Sequence, residues 1–147
     1  MTRILFVCAG NKCRSPAAGA ILHKMAKDAG RTLDFRIDSA GTYAKGVGQP
    51  ADARMVDAAA SRGYEIKSLA RRIKSSDIYL HDLILTMDAA NLEYVQALIP
   101  KSSLFRTASA QPLCAVDVAD PYLGDEKAFN STLDQLETAC ADLLKRL

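Results

Sequence analysis

The chain has no tryptophan, two histidines and an aromatic content of only 6%. It has no long uncharged apolar run. Each scarcity excludes something. Met1-Thr2-Arg3 leads into a short apolar stretch that is soon broken by Asn11, Lys12 and Arg14, so it reads as neither a signal peptide nor a membrane span. The four cysteines, Cys8, Cys13, Cys114 and Cys140, show no Cys-x2-Cys spacing, and two histidines add little, so no metal site is expected. Free thiols of this kind suit a reducing cytoplasm. A net charge of +2 is too small for bulk binding to nucleic acid or a membrane surface. What is present is ordinary for a globular protein: 49% hydrophobic and 24% charged residues over 147 positions, enough for one domain with its own core, spanning 1–147.

There is no repeat, linker or low-complexity tract. Apolar β-rich runs alternate with helical patterns. Ile4 to Val7 reads as a strand buried on both faces. Pro16 to Ala29 is a helix closed by Gly30, and Asp34 to Ser39 a second strand. A loop over 41–50 precedes a helix over 51–62, closed by Gly63. Leu83 to Met87 is a third strand and Asp88 to Leu98 a helix. Ser103 to Arg106 is the expected fourth strand, residues 111–124 are mostly loop, and a long helix fills the C-terminal part. Such alternation implies an α/β fold, a parallel sheet with helices on both faces. Ligands then bind beyond the carboxyl ends of the strands.

At that position stands Cys8-Ala9-Gly10-Asn11-Lys12-Cys13-Arg14-Ser15-Pro16. Cys8 ends the first strand, and Ser15-Pro16 reads as an N-cap followed by proline at the first helical position. The residues between should aim backbone N–H groups at an oxyanion. Cys-x5-Arg is weak by itself in a chain with ten arginines, and Cys140 to Arg146 repeats the spacing. That second copy sits in a helical pattern whose N–H groups are already bonded, so it cannot cradle an anion. The strand before, Gly10 within and Ser-Pro after single out the first copy.

The chemistry of those residues is that of a phosphate ester meeting a thiol. Arg14 can bind two phosphate oxygens in parallel, and the loop N–H groups, from Ala9 through Ser15, supply the rest. The same field favours a Cys8 thiolate without a histidine base. Ser15 serves as helix cap, as donor to the sulfur, or as both. Asp120, before Pro121 and Tyr122, is the candidate acid that protonates the leaving group and later activates water. Asn11 suits a positive φ. For Ser39 and Asp88, support of the loop is weighed against a strand-end hydroxyl and a helix N-cap. Cys13 is either a buried small hydrophobe or a partner that traps oxidised Cys8 as a disulfide. Lys67, Arg71, Arg72 and Lys74 form a basic cluster, read as solvated surface or as a steering patch for acidic substrates.

The motif at Cys8–Pro16, with Asp38-Ser39-Ala40-Gly41-Thr42, Met87-Asp88, Asn91 and Asp120-Pro121-Tyr122, resembles the low-molecular-weight protein tyrosine phosphatase family over the whole length. The resemblance implies a flavodoxin-like four-stranded sheet of order 2-1-3-4, a metal-free phosphomonoesterase needing no cofactor, and a phosphocysteine intermediate on Cys8. It implies a phosphotyrosine-containing protein as substrate, with a bacterial tyrosine kinase one candidate, and a monomer or weak dimer. Three positions depart from the family: Lys12 where an apolar residue is usual, Lys45 where an aromatic often flanks the substrate ring, and Leu123 where a second aromatic is common. Tyr43, Lys45, Tyr122 and Leu123 form the expected rim. The rival readings are arsenate reductase on the same fold and a phosphate-binding or phospho-carrier module. The thioredoxin-linked reductase needs extra thiols near the third strand, and Leu83 to Leu98 has none. A carrier needs neither the acid nor the arginine. A protein arginine phosphatase is disfavoured because Lys12 would repel a guanidinium leaving group.

Overall fold

In a computed structural model, which describes residues 1–43 and 45–147, the chain alternates strands and helices. Strand β1 (Thr2–Cys8) leads through the thiol loop to helix α1 (Arg14–Asp28). A single 3₁₀ turn (Thr32–Asp34) enters β2 (Phe35–Gly41). Then follow α2 (Ala53–Ala60), the short α3 (Asp77–Leu80), β3 (Leu83–Thr86), α4 (Ala89–Leu98), β4 (Ser109–Pro112) and the long α5 (Glu126–Arg146). The four strands pair in parallel throughout, in the order β2-β1-β3-β4.

Side chains alternate across the strands, which divides the core into two layers. Ile4, Phe6 and Cys8 of β1, with Leu83 and Leu85 of β3, pack against α1 and α5. Leu5 and Val7, with Ile84, face the other way onto Ile78 of α3 and Val95 of α4. The apolar run of β1 is continuous because both of its faces are covered.

Three local readings change. The fourth strand is Ser109–Pro112, not Ser103–Arg106, where Leu104 is fully exposed. An edge strand this short pairs on one side only, so it needs no apolar alternation to mark it. Helix α1 begins at Arg14 with Cys13 as N-cap and no side-chain cap bond, so Ser15 does not cap it. Pro16 falls within the first turn, where its missing N–H costs nothing. The four-residue α3 was not foreseen.

Helix α1 does end as its sequence implies. Gly30 has φ +70°, its N–H donates to Lys27 O, and Arg31 N–H reaches back to Ala26 O.

Candidate active site

The segment from Cys8 to Arg14 is a closed turn whose shape comes from what its carbonyls touch. Cys8 O accepts from Thr42 N–H at 3.0 Å, Ala9 O from Tyr43 N–H at 2.9 Å, and Lys12 O from Asp52 N–H at 2.9 Å. No peptide bond among the described residues is cis. In a trans peptide the C=O and the following N–H point in opposite directions. With these three carbonyls held outward, the N–H groups of Ala9, Gly10 and Cys13 point into the turn. Asn11, at φ 55°, makes the left-handed step that closes it, and its own N–H donates to Cys8 Sγ at 3.3 Å.

Asn11 is buried and fully used. Its side-chain N–H groups donate to Ser15 Oγ at 2.8 Å and Ser39 Oγ at 2.9 Å, and its Oδ1 accepts from Arg71 N–H at 3.0 Å. Ser15 Oγ lies 3.0 Å from Cys8 Sγ. Because it already accepts from Asn11, its own hydrogen is free for the sulfur or for Ala40 O at 3.4 Å. Behind the turn, Gly41 has no room for a side chain: a Cβ there would stand 2.5 Å from Ala9 O.

Arg14 is 3% exposed. Its Nη1 donates to Asp88 Oδ2 at 2.7 Å and to Val118 O at 3.0 Å, and its Nη2 stands 3.6 Å from Asp120 Oδ2. Asp88 also accepts from Asn91 N–H at 2.8 Å, so it is both the N-cap of α4 and a support of the arginine. Asp120 remains half exposed, its Oδ1 accepting from Tyr122 N–H. Cys13 is buried, and burial, with the nearby Asp52 and Asp120 carboxylates, pushes its thiol up to about 12. It therefore stays protonated at neutral pH. Cys140, in the decoy repeat, is buried in α5 and turned to Ala18 O at 3.6 Å.

A cavity of about 400 Å³ opens over the turn, lined by Cys8, Ala9, Gly10, Cys13, Arg14 and Asp120, with Lys12, Tyr43, Lys45 and Tyr122 at its sides. Ser15, Asn11, Ser39 and Asp88 lie behind it. Leu123 is not a wall residue: it is 94% exposed, because the turn closed by Gly124 N–H on Pro121 O carries it outward. Lys12 spans the side of the cavity, its ammonium on Pro50 O at 2.6 Å. A larger hollow of about 530 Å³ beside α1 and β2 holds none of the expected catalytic groups.

Two residues went unnoticed in the sequence. Asp52 caps α2 and holds Arg54 through both carboxylate oxygens, at 3.1 and 2.9 Å. Arg54 in turn donates to Tyr122 O at 2.9 Å and covers the Tyr122 and Phe129 rings. The pair ties the segment bearing Asp120 to the far wall. The spacing of a cap and an arginine two residues on was the only local signal. Arg71 is likewise no free surface cation: it clamps Asp77 with two bonds at 3.0 Å and Asp38 at 2.8 Å.

Fold and site together define an α/β thiol enzyme that binds a tetrahedral oxyanion above a cysteine. The family model described as low molecular weight phosphotyrosine protein phosphatase matches residues 3–147. A low molecular weight protein-tyrosine-phosphatase of Streptomyces coelicolor is 36% identical over 151 residues, covering 97% of this chain and 91% of that one. The crystal structure of a protein tyrosine phosphatase from Entamoeba histolytica, with Hepes in its active site, has a TM-score of 0.92 at 36% identity, covering 99% and 96% of the two chains. That of a Drosophila arginine phosphatase has the same TM-score at 30% identity, covering 99% and 97%. The chain belongs to the low molecular weight phosphotyrosine protein phosphatase family. It is an enzyme, a phosphatase acting on phosphoproteins.

Proposed function

We infer that this protein hydrolyses phosphotyrosine in protein substrates through a phosphocysteine on Cys8. The inward N–H groups and Arg14 hold the three non-bridging oxygens, and Cys8 sulfur attacks phosphorus from beneath. A P–S bond forms as the P–O bond to the phenol breaks. The leaving oxygen takes that electron pair together with a proton from Asp120. Asp120, now a carboxylate, removes a proton from water, which attacks phosphorus. The P–S pair returns to Cys8 and inorganic phosphate leaves. Ser15, by donating to the sulfur, stabilises it as thiolate in both steps. The observation that carries this reading is one cavity with Cys8 on its floor, Arg14 in its wall and Asp120 at its mouth.

The substrate class rests on the mouth. Tyr43 and Tyr122 offer two rings to an aryl ester. Lys12 and Lys45 beside them would repel a phosphoarginine leaving group, which argues against that substrate for this chain. A substrate panel tests the whole reading: phosphotyrosine, phosphoserine and phosphoarginine peptides, and arsenate with thiol. Phosphotyrosine should lead, and Cys8→Ser should release no phosphate from any of them. Full activity of Cys8→Ser, or arsenate turnover above all else, overturns it. Cys13 as a trap for oxidised Cys8 belongs to the same proposal. Held protonated, Cys13 does not compete as nucleophile. Once a peroxide has converted the Cys8 thiolate to a sulfenic acid, the Cys13 sulfur attacks it. The S–S bond forms as the S–O bond breaks, and the hydroxyl leaves with the Cys13 proton as water.

A further inference from the structure

The cavity wall carries more positive charge than its own carboxylates balance. Its charged members are Lys12, Arg14, Lys45 and Asp120. Arg14 is balanced by Asp88 and Asp120. Lys12 is not balanced. Its ammonium rests on Pro50 O at 2.6 Å and Gln49 Oε1 at 3.4 Å, both neutral, and among the described residues no carboxylate comes within 4 Å of it. Asp52, outside the cavity lining, feels the Lys12 charge but is taken up by Arg54 and by the start of α2. Lys45 sits with its ammonium 5.5 Å from the centre of the Tyr43 ring. The Lys12 side chain is also placed rather than loose. It runs along Gly10, and a Cβ on Gly46 would stand 3.7 Å from its Cδ and its Nζ. Gly46 holds φ +75°, which keeps that position bare.

We propose that Lys12 and Lys45 form an anionic subsite at the cavity mouth that binds the side-chain carboxylate of an acidic residue next to the phosphotyrosine. This rests on the phosphotyrosine reading and narrows it to acidic phosphopeptides. With phosphate on the floor and the ring between Tyr43 and Tyr122, the peptide backbone lies across the mouth, where the two ammonium groups stand. A neighbouring Asp or Glu there meets uncompensated positive charge. A neighbouring Lys or Arg meets repulsion. The simpler alternative is that both lysines only help neutralise the phosphate dianion. In that case they favour every phosphotyrosine substrate equally.

The test compares two phosphotyrosine peptides, one with Asp on both sides of the phosphotyrosine and one with Ala. It reads their kcat/KM ratio in wild type and their Kd ratio on Cys8→Ser by titration calorimetry. The acidic peptide should lead by roughly tenfold at low salt and lose most of that lead at high salt. Lys12→Met and Lys45→Met should each bring the ratio toward one whatever their absolute rates, and Lys12→Arg should keep it. Lys45→Met breaks no hydrogen bond among the described residues and so guards against a fold artefact. A wild-type ratio of one, or a ratio unmoved by both Met variants, overturns the subsite. Failure of wild type to release phosphate from either peptide instead overturns the phosphatase reading, while the Kd ratio still decides the subsite.

Discussion

Asp120 shows how a single residue is aimed by one neighbour far away in sequence and one close by. One oxygen lies 3.6 Å from Arg14 Nη2 and the other accepts from Tyr122 N–H, so the carboxyl is aimed while staying open to substrate and water. Asp120→Asn should slow turnover by roughly 10²-fold or more for phenyl phosphate, whose leaving group needs the proton, and less for p-nitrophenyl phosphate. Equal slowing across a leaving-group series would remove Asp120 as the acid. Asn11 is the other residue that carries more than one task, a positive φ and a three-way hydrogen-bond junction. Asn11→Ala should lower unfolding stability by about 3 kcal/mol, from backbone strain plus stranded buried groups. Asn11→Gly should recover the backbone share of that loss only, as urea melts of the two variants will read. The cysteine, the arginine and the asparagine were legible in the sequence because they lie within seven consecutive residues. Arg71 was not, because its backbone bond to Asn11 spans sixty positions.

Among the elements, α2 contributes more than packing. Its N-terminus supplies Asp52, whose N–H fixes Lys12 O and whose carboxylate fixes Arg54, and Arg54 fixes Tyr122. One helix start therefore joins the phosphate-binding turn to the segment carrying the acid. Arg54→Gln should loosen that segment without touching the cup. The expected kinetic signature is a steeper dependence of kcat on leaving-group pKa, with KM for p-nitrophenyl phosphate changed less than kcat for phenyl phosphate. A uniform loss across leaving groups would assign Arg54 to folding alone. The strong elements were readable from pattern: β1 from its unbroken apolar run, α1 and α2 from their closing glycines, α5 from its length. β4 was misplaced because the apolar Leu104 and Phe105 mimic a strand while standing in solvent, and the true edge strand, Ser-Ala-Gln-Pro, has no pattern to read. A helix of four residues such as α3 leaves no periodicity at all.

For the molecule as a whole, sheet order and site follow from one another: β1 is central, so its end lies where connections diverge on either side. No helix among the described residues is long and apolar enough to cross a membrane. At the opposite end of the sheet, Asp82 ties the start of β3 to β1 by accepting from the Arg3 backbone N–H and its guanidinium. The hydrogen bonds from Arg3 hold the Asp82 carboxyl down to about 2. Its folded value lies below the ordinary value of about 3.9, so the pair stabilises the fold above that pH, and the contribution is lost as pH falls toward 2. Asp82→Asn should melt below wild type at neutral pH, with the gap narrowing between about pH 4 and pH 2. A constant gap would mean that the loss is one of packing. The outward carbonyls of the thiol turn have a final consequence. Each of the three answers to its own donor, on Thr42, Tyr43 and Asp52, and Gly41 presses on the same turn from behind. The length of that turn is thereby locked. One inserted residue would rotate the following peptide planes off their donors and swing N–H groups out of the bowl, so related chains can drift in almost every connecting segment yet must count the same number of steps from sulfur to guanidinium.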